Sequence, residues 1–297
     1  MATFARSDRA TARVAVARWS RHRLSRWAWR IARYTVLITV LVIFLMPLVW
    51  IWSSALKSSL EIDMNPFGLP SVLHWENLVQ AWTVGGFGRY IGNSVLYCAT
   101  IVTGVVVVSC LAGYALATLP IAGRNVIFIV FLLGLMVPFQ SIMIPIYYLL
   151  RDLHILETYF AFIIPGIALG LPFGIFLMRA FFRGLPAEIA DAARIDGANE
   201  WTVFSRVMLP LARPGLTTLI VFQFMYTWKA FLMPLVFVQL DELRPVALGM
   251  MFFFGRFTAD RGMIAAGVTI AMLPVILLYL ALQRQFISGI TAGAVKS

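Results

Sequence analysis

Lys229 is the one formally charged residue inside an otherwise charge-free apolar run, and Tyr226 and Trp228 stand beside it. A lysine at mid-membrane is unfavourable by roughly 2.5–3.5 kcal/mol on insertion scales, so it should face a cavity or a partner rather than lipid. An ammonium beside a phenol and an indole could line a path for a polar solute, with the Trp228 ring stacked on the solute. The plainer reading is a lysine whose stem packs on its neighbours while its head snorkels to water. Little else in the chain suggests covalent chemistry. His22, His74 and His154 are scattered, and Cys98 and Cys110 share one apolar run, which is neither a metal-ligand nor a disulfide pattern. The Gly-x-x-x-x-Gly-Lys-Ser/Thr loop that cradles the phosphates of ATP is missing. No set of residues reads as catalytic, cofactor-binding or metal-ligating.

Six long apolar stretches must position these residues: Tyr34–Leu56, Tyr90–Gly123, Asn125–Leu150, Thr158–Met178, Pro214–Leu240 and Gly262–Gln283. Each reaches the roughly 20 residues that span the hydrocarbon core as a helix. They are continuously apolar, without the alternation of barrel strands, so the expected class is an all-α integral membrane protein. A hydrophobic fraction of 61% against 12% charged residues excludes an ordinary soluble domain, whose surface needs more charge. Pro47, Pro138, Pro145, Pro165, Pro172, Pro234 and Pro274 fall within or near these runs. Helices kinked by proline pack around cavities, where protein or water satisfies the freed carbonyls.

The net charge of +11 points to the membrane rather than to nucleic acid, because nine of the 24 basic residues lie between Arg6 and Arg33. There Arg18, Arg21, Arg23, Arg26 and Arg30 alternate with Trp19, Trp27 and Trp29, a mixture suited to a lipid interface or to a plain basic anchor. Counted over alternate connections, Lys and Arg number 17 on the side of the N-terminus and six on the other. The positive-inside rule then places both ends in the cytoplasm. The expected organisation is a basic tail over 1–33, a first transmembrane helix over 34–56 and a five-helix core over 87–290. A cytoplasmic loop over 182–213 interrupts that core, and a short tail over 291–297 follows it.

That loop is the most informative segment. Pro186 suits a first helical turn, and Glu188 and Asp191 sit near the positive end of the helix dipole. Ala190, Ala192 and Ala193 form helix with little bulk, so another surface can approach closely. Asp196-Gly197 should end this helix, since glycine readily takes the left-handed conformation. A second helix should begin near Ala198 or Asn199, with Trp201, Phe204 and Val207 on one face, and stop at Leu209-Pro210. Pro214 should open the fifth span.

The loop resembles the signature of bacterial ABC importer permeases: Glu-Ala-Ala, three residues, Gly, nine residues, then Ile-x-Leu-Pro. Asp191-Ala192-Ala193 fills the first element with Asp for Glu, and Gly197 and Val207-Met208-Leu209-Pro210 follow at the family's spacing. Pro186-x-Glu188, Ile195-Asp196-Gly197-Ala198 and Pro210-x-x-x-Pro214 are similar to the carbohydrate-uptake branch, the relatives of the maltose transporter permeases. Asn93-Ser94, Pro138, Pro145-Ile146-Tyr147, Gly289 and Gly293-Ala294-Val295-Lys296 extend the resemblance over roughly residues 87 to 297, in the smaller-subunit subgroup. One departure is Trp228-Lys229-Ala230-Phe231 where the family commonly has Trp-Asn.

The resemblance implies a maltose-type permease fold in the bacterial cytoplasmic membrane, importing a sugar or similar polar solute by alternating access. It implies an ATPase-coupling loop made by Glu188, Asp191, Ala192, Ala193, Asp196, Gly197, Leu209 and Pro210, docked in a cleft of a cytoplasmic ATPase subunit with Asp191 to Gly197 at the contact. The expected partners are a second, different permease, two cytoplasmic ATP-binding subunits that use ATP and magnesium, and an external solute-binding protein. The connections from Lys57 to Arg89 and from Asp241 to Arg261 should meet that binding protein. An ion-coupled secondary carrier would need paired acids within the spans, and a membrane-embedded enzyme would need clustered His, Asp, Glu or Cys; the sequence has neither.

Overall fold

The computed structural model describes residues 4–294, with side chains described at 27, from 29 to 281 and at 283. The side chains of Arg18, Trp19, Arg21, Arg23, Arg26 and the Gly289–Lys296 ending lie outside the described residues. Among the described residues every element is helical. Helix α1 spans Phe4–Ala55, so the basic stretch and the first apolar run form one continuous helix. Nothing between Arg6 and Arg33 interrupts it, since that stretch holds neither Gly nor Pro. Two short helices, α2 (Ser59–Met64) and α3 (Glu76–Thr83), lead to the long α4 (Phe87–Thr118).

Four helical stretches are long and apolar enough to cross a bilayer: Trp29–Ala55, Phe87–Thr118, Phe160–Arg183 and Arg261–Ala281. Two sharply bent pairs, Arg124–Gly134 with Phe139–Asp152 and Glu200–Leu211 with Arg213–Trp228, make the number six if each counts as one broken span. The first pair corrects the expectation of one continuous third span. Helix α5 (Arg124–Gly134) stops, and α6 (Phe139–Asp152) leaves at 95°. Pro138 is the physical cause, because it has no amide to donate and biases Val137 away from helical backbone.

Helix α7 (Phe160–Arg183) packs along α4 at close range. At Gly113 a Cβ would lie 2.8 Å from Met178 Cβ and 2.9 Å from the Arg179 amide, so only glycine permits this approach. Small residues at such crossings let membrane helices gain packing contacts that water-driven burial cannot supply in lipid. Arg179 closes the end of this pair: Nε donates to Leu116 O at 3.2 Å and Nη2 to Asn125 Oδ1 at 2.7 Å. The Leu116 carbonyl lies in the last turn of α4, where helix carbonyls lack an intrahelical partner.

Beyond α7 come α8 (Ala187–Ile195) and α9 (Glu200–Leu211), then α10 (Arg213–Trp228), α11 (Leu232–Phe237), α12 (Val246–Arg256) and α13 (Arg261–Ala294). The fifth span is therefore shorter than the expected Pro214–Leu240, since its helix ends at Trp228. One core joins α4, α7, α9 and α10 through Tyr97, Phe162, Phe204 and Leu219. A second gathers Phe87, Trp228, Phe253 and Met263 where α3, α12 and α13 meet. Helix α1 leans on α13, yet none of its most apolar window is buried inside the chain.

The Tyr90 end of α4 organises the connection before α12. Tyr90 Oη donates to Asp241 Oδ1 at 2.8 Å, Asn93 Nδ2 to Glu242 O at 2.7 Å and Tyr97 Oη to Leu243 O at 3.0 Å. Ser94 Oγ accepts from the Val246 amide at 2.7 Å. The Asn93-Ser94 pair thus holds a loop across the bundle, a role its sequence position does not reveal.

Candidate functional site

Two places bring together the residues singled out by sequence. The first is the bend between α8 and α9. Pro186 stands just before α8 rather than within its first turn, and Glu188, Asp191, Ala192, Asp196 and Gly197 are exposed along the helix and its end. Ala190 is buried and Ala193 packs against the core, so the helix sits on the bundle by its alanine side. The helix ends where expected, because Gly197 has φ +86° and the Ala198 amide returns to Ala193 O at 3.0 Å. Asn199 then caps α9, its Oδ1 accepting from the Thr202 amide at 2.8 Å.

Helix α9 departs from the sequence expectation in two respects. Val203–Met208 is a π-helical turn whose buried residues are Val203, Phe204 and Met208, so of Trp201, Phe204 and Val207, expected on one face, only Phe204 is buried. Helical backbone also continues through Leu209-Pro210 to Leu211 before the chain turns by 76° into α10. Pro210 has no amide to offer the last turn of α9, which ends one residue later, whereas Pro214 stands in the first turn of α10, where a missing amide forfeits no hydrogen bond. Displaced from the buried face, Trp201 is 65% exposed, and Ile195 at the tip of α8 is 86% exposed.

A polar chain that the sequence did not reveal ties this bend to the bundle. Arg194 Nη1 donates to Asp191 Oδ1 at 2.7 Å and Arg194 Nε to Glu200 Oε1 at 2.7 Å. Tyr114 Oη, on α4, donates to Glu200 Oε2 at 2.8 Å. The hydrogen bond to Glu200 raises the Arg194 pKa above its ordinary value, and the same bond lowers that of Glu200. Only the Asp191–Arg194 spacing of three hinted at this in sequence.

The second place is the end of α10. Lys229 is the C-cap of the helix and is exposed, so it ends the helix instead of interrupting it. A cation suits that position, where the helix dipole is negative. Among the described residues its ammonium has no hydrogen-bond or ion-pair partner. Trp228 is only 5% exposed and stacks on Phe224 with ring centroids 5.4 Å apart, so its ring cannot face a solute as expected. Tyr226 does face open space. It borders a cavity of about 370 Å³ shared with Gln223, Gly170, Phe173 and the α5–α6 break. Gln223 escaped the sequence reading because an uncharged amide leaves a run looking continuously apolar.

A bundle with broken spans around a cavity, and a bent helix pair at one end, defines the transmembrane subunit of a solute transporter. The chain belongs to the family of binding-protein-dependent transport system inner membrane components, whose model matches residues 106–291. It is 32% identical over 265 residues to a diacetylchitobiose uptake system permease of Streptomyces coelicolor, covering 89% of this chain and 88% of that one. An arabinooligosaccharide transport permease of Halalkalibacterium halodurans is 34% identical over 84% of this chain and 90% of its own. A trehalose transport permease of Mycobacterium tuberculosis is 31% identical over 91% and 99%. The fold matches a chain of a bacterial ABC transporter for alginate import, with TM-score 0.77, 23% identity and coverage of 88% and 97%. The expected permease family and all-α membrane fold are thus borne out.

Proposed function

We propose that this chain is one of two permease subunits of an importer that carries a sugar into the cytoplasm by alternating access. In this reading α8 and the Gly197 bend dock on an ATPase subunit, and Asp191, Ala192, Ala193, Asp196 and Gly197 form the contact. Glu188 flanks it, and Leu209-Pro210 passes the movement into α10. The observation that carries the proposal is the exposed bend itself: Ile195 and Trp201 are largely open to solvent beside it, while Arg194 and Glu200 brace it against α4. Apolar side chains exposed beside a rigid polar brace suit a docking surface better than a solvated loop.

The remaining assignments rest on sequence and family. The excess of Lys and Arg on one side supports cytoplasmic ends and an external position for Lys57–Arg89 and Asp241–Arg261, where a solute-binding protein would contact the chain. The unburied face of α1 supports a companion permease, taken as a different chain, and lipid at the basic stretch. ATP and magnesium would be consumed on two partner ATP-binding subunits. Sugar as the solute class follows from the names of the relatives. Tyr226 and Lys229 are candidate path residues, with Trp228 supporting them from behind.

The test uses the assembled transporter in proteoliposomes. Replacing Ile195 and Trp201 by Asp should abolish ATPase binding and ATP-driven uptake while the chain still inserts. Normal uptake by that variant would refute the docking role, and so would labelling of Gly197→Cys from the external side only. For Lys229, unchanged rate and solute preference in Lys229→Ala would remove it from the path.

A further inference from the structure

The cavity beside Tyr226 contains a buried amide that the fold leaves underused. Gln223 is 4% exposed, and its single hydrogen bond among the described residues is a long one, Nε2 to Thr227 Oγ1 at 3.4 Å. A glutamine amide can donate twice and accept twice. With either orientation of the amide, one end has no partner among the described residues. Gly170 makes room for it: a Cβ there would lie 3.0 Å from Gln223 Oε1 and 3.1 Å from Nε2. Buried amides normally have their bonds satisfied, so one left open beside a cavity points to a partner that comes and goes.

The cavity walls narrow the choice of partner. Among the described residues no carboxylate, imidazole, ammonium or guanidinium lines the cavity, which argues against an ion as occupant. Phe173 and Phe222 stand as a tilted ring pair 5.7 Å apart, and Tyr226 lines the same space as Gln223. Flat apolar faces opposite one amide and one phenol suit a molecule with C–H faces and a hydroxyl edge. The volume of about 370 Å³ falls within the roughly 300–1,000 Å³ of small-molecule sites. Depth agrees as well. Gln223 lies ten residues beyond Arg213, about 15 Å along the helix at about 1.5 Å per residue, near the middle of a hydrocarbon core roughly 30 Å thick. The α5–α6 break borders the same space, and non-helical backbone at that depth is tolerated where it lines a cavity.

We propose that Gln223 and Tyr226, over the Gly170 floor, form a carbohydrate-binding station on the water-accessible path of this permease. The proposal deepens the importer reading and rests on it. Gln223→Cys and Tyr226→Cys are made in the assembled transporter and treated with a charged methanethiosulfonate. The unmodified chain gives the background, because Cys98 and Cys110 are both buried. Both variants should react, at rates that differ between nucleotide-free and ATP–vanadate-trapped transporter. One of diacetylchitobiose, trehalose or arabinotriose, at ten times its Kd, should slow the reaction about tenfold by leaving about one site in eleven empty.

Tyr226→Cys carries the test if Gln223→Cys fails to assemble, because the parent side chain is exposed. No reaction in either nucleotide state would overturn the station and leave a cavity filled by lipid or protein. Reaction that none of the three sugars slows would overturn the carbohydrate assignment. ATP-driven uptake by the unmodified transporter is measured in parallel: its absence would count against the importer reading, whereas labelling without protection counts only against the station.

Discussion

The Tyr114 hydroxyl donates to Glu200 Oε2 at 2.8 Å, joining α4 to the bend between α8 and α9 across 86 residues of chain. Arg194 and Asp191 extend that bond into the loop that carries the permease signature. The brace is partly exposed, so it should matter more for geometry than for stability. Ion pairs at this exposure contribute about 0–1 kcal/mol. Glu200→Gln and Tyr114→Phe should therefore unfold within about 1 kcal/mol of the unmodified chain. Uptake per ATP hydrolysed should nevertheless fall by about fivefold or more, the lower end of ordinary coupling energies. Parallel uptake and phosphate-release assays in proteoliposomes check this, with Arg194→Ala completing a double-mutant cycle.

Gly197 separates backbone strain from steric conflict. Its φ is +86°, and nothing lies within 4 Å of a Cβ built there. Gly197→Ala should thus cost roughly 1–2 kcal/mol of local stability through the left-handed backbone alone. Gly197→Asn should cost less, since asparagine tolerates that conformation. Hydrogen exchange at the Gly197 and Ala198 positions, whose amides close the end of α8, reports the order of the two variants.

Lys57 and Glu61 shape the connection after α1. Lys57 is fully buried, and its Nζ donates to Asn65 O at 2.9 Å and Gly68 O at 2.6 Å. Lys57→Met should leave both carbonyls unpaired, cost about 1–3 kcal/mol and expose residues 58–75 to protease.

Glu61 accepts from the Ser71 amide at 2.6 Å, and that backbone bond holds its carboxyl below the ordinary 4.5. Because the folded pKa is lowered, the stabilisation is complete above the ordinary value and fades as pH falls through the folded one. The protection factor of the Ser71 amide should be steady near neutrality and drop only once the pH has fallen past the ordinary carboxylate value and through the lowered one. In Glu61→Gln that acid-dependent drop should vanish.

Trp228 and its neighbour Lys229 should respond in opposite ways. Trp228 is enclosed beside Phe224, so Trp228→Ala should destabilise by about 3–5 kcal/mol. Lys229→Ala removes an exposed cap charge and should change stability by no more than about 1 kcal/mol. Thermal unfolding in detergent distinguishes the two.

The Pro138 break and the Trp228 face show where sequence reasoning stopped. The run from Asn125 to Leu150 is uniformly apolar, and a proline in such a run is compatible with a mild kink or with a right-angle turn. Packing of α5 against α7 at one end, and of α6 against α11 at the other, selects the 95° turn. Trp228 invited a solute-facing reading because no periodicity separates an inner from an outer face in an all-apolar helix. The second core, assembled from α3, α12 and α13, takes that ring inside. At the loop the ending of α8 at Gly197 was legible because glycine chemistry is local, whereas the π turn that redirects Trp201 was not.

Sequence alone settled what is written in local chemistry: apolar runs of bilayer length, a glycine stop, proline punctuation, and a signature whose spacing marks the family. Tertiary structure decided what depends on distant partners. It paired Tyr114 with Glu200, carried Lys229 to a helix end, and opened the amide of Gln223 towards a cavity. The physical reason is that in a bilayer nearly every side chain is apolar, so hydropathy finds the helices but cannot say which way they face. Only the close approach of specific backbones, at glycines and prolines far apart in the chain, chooses those faces.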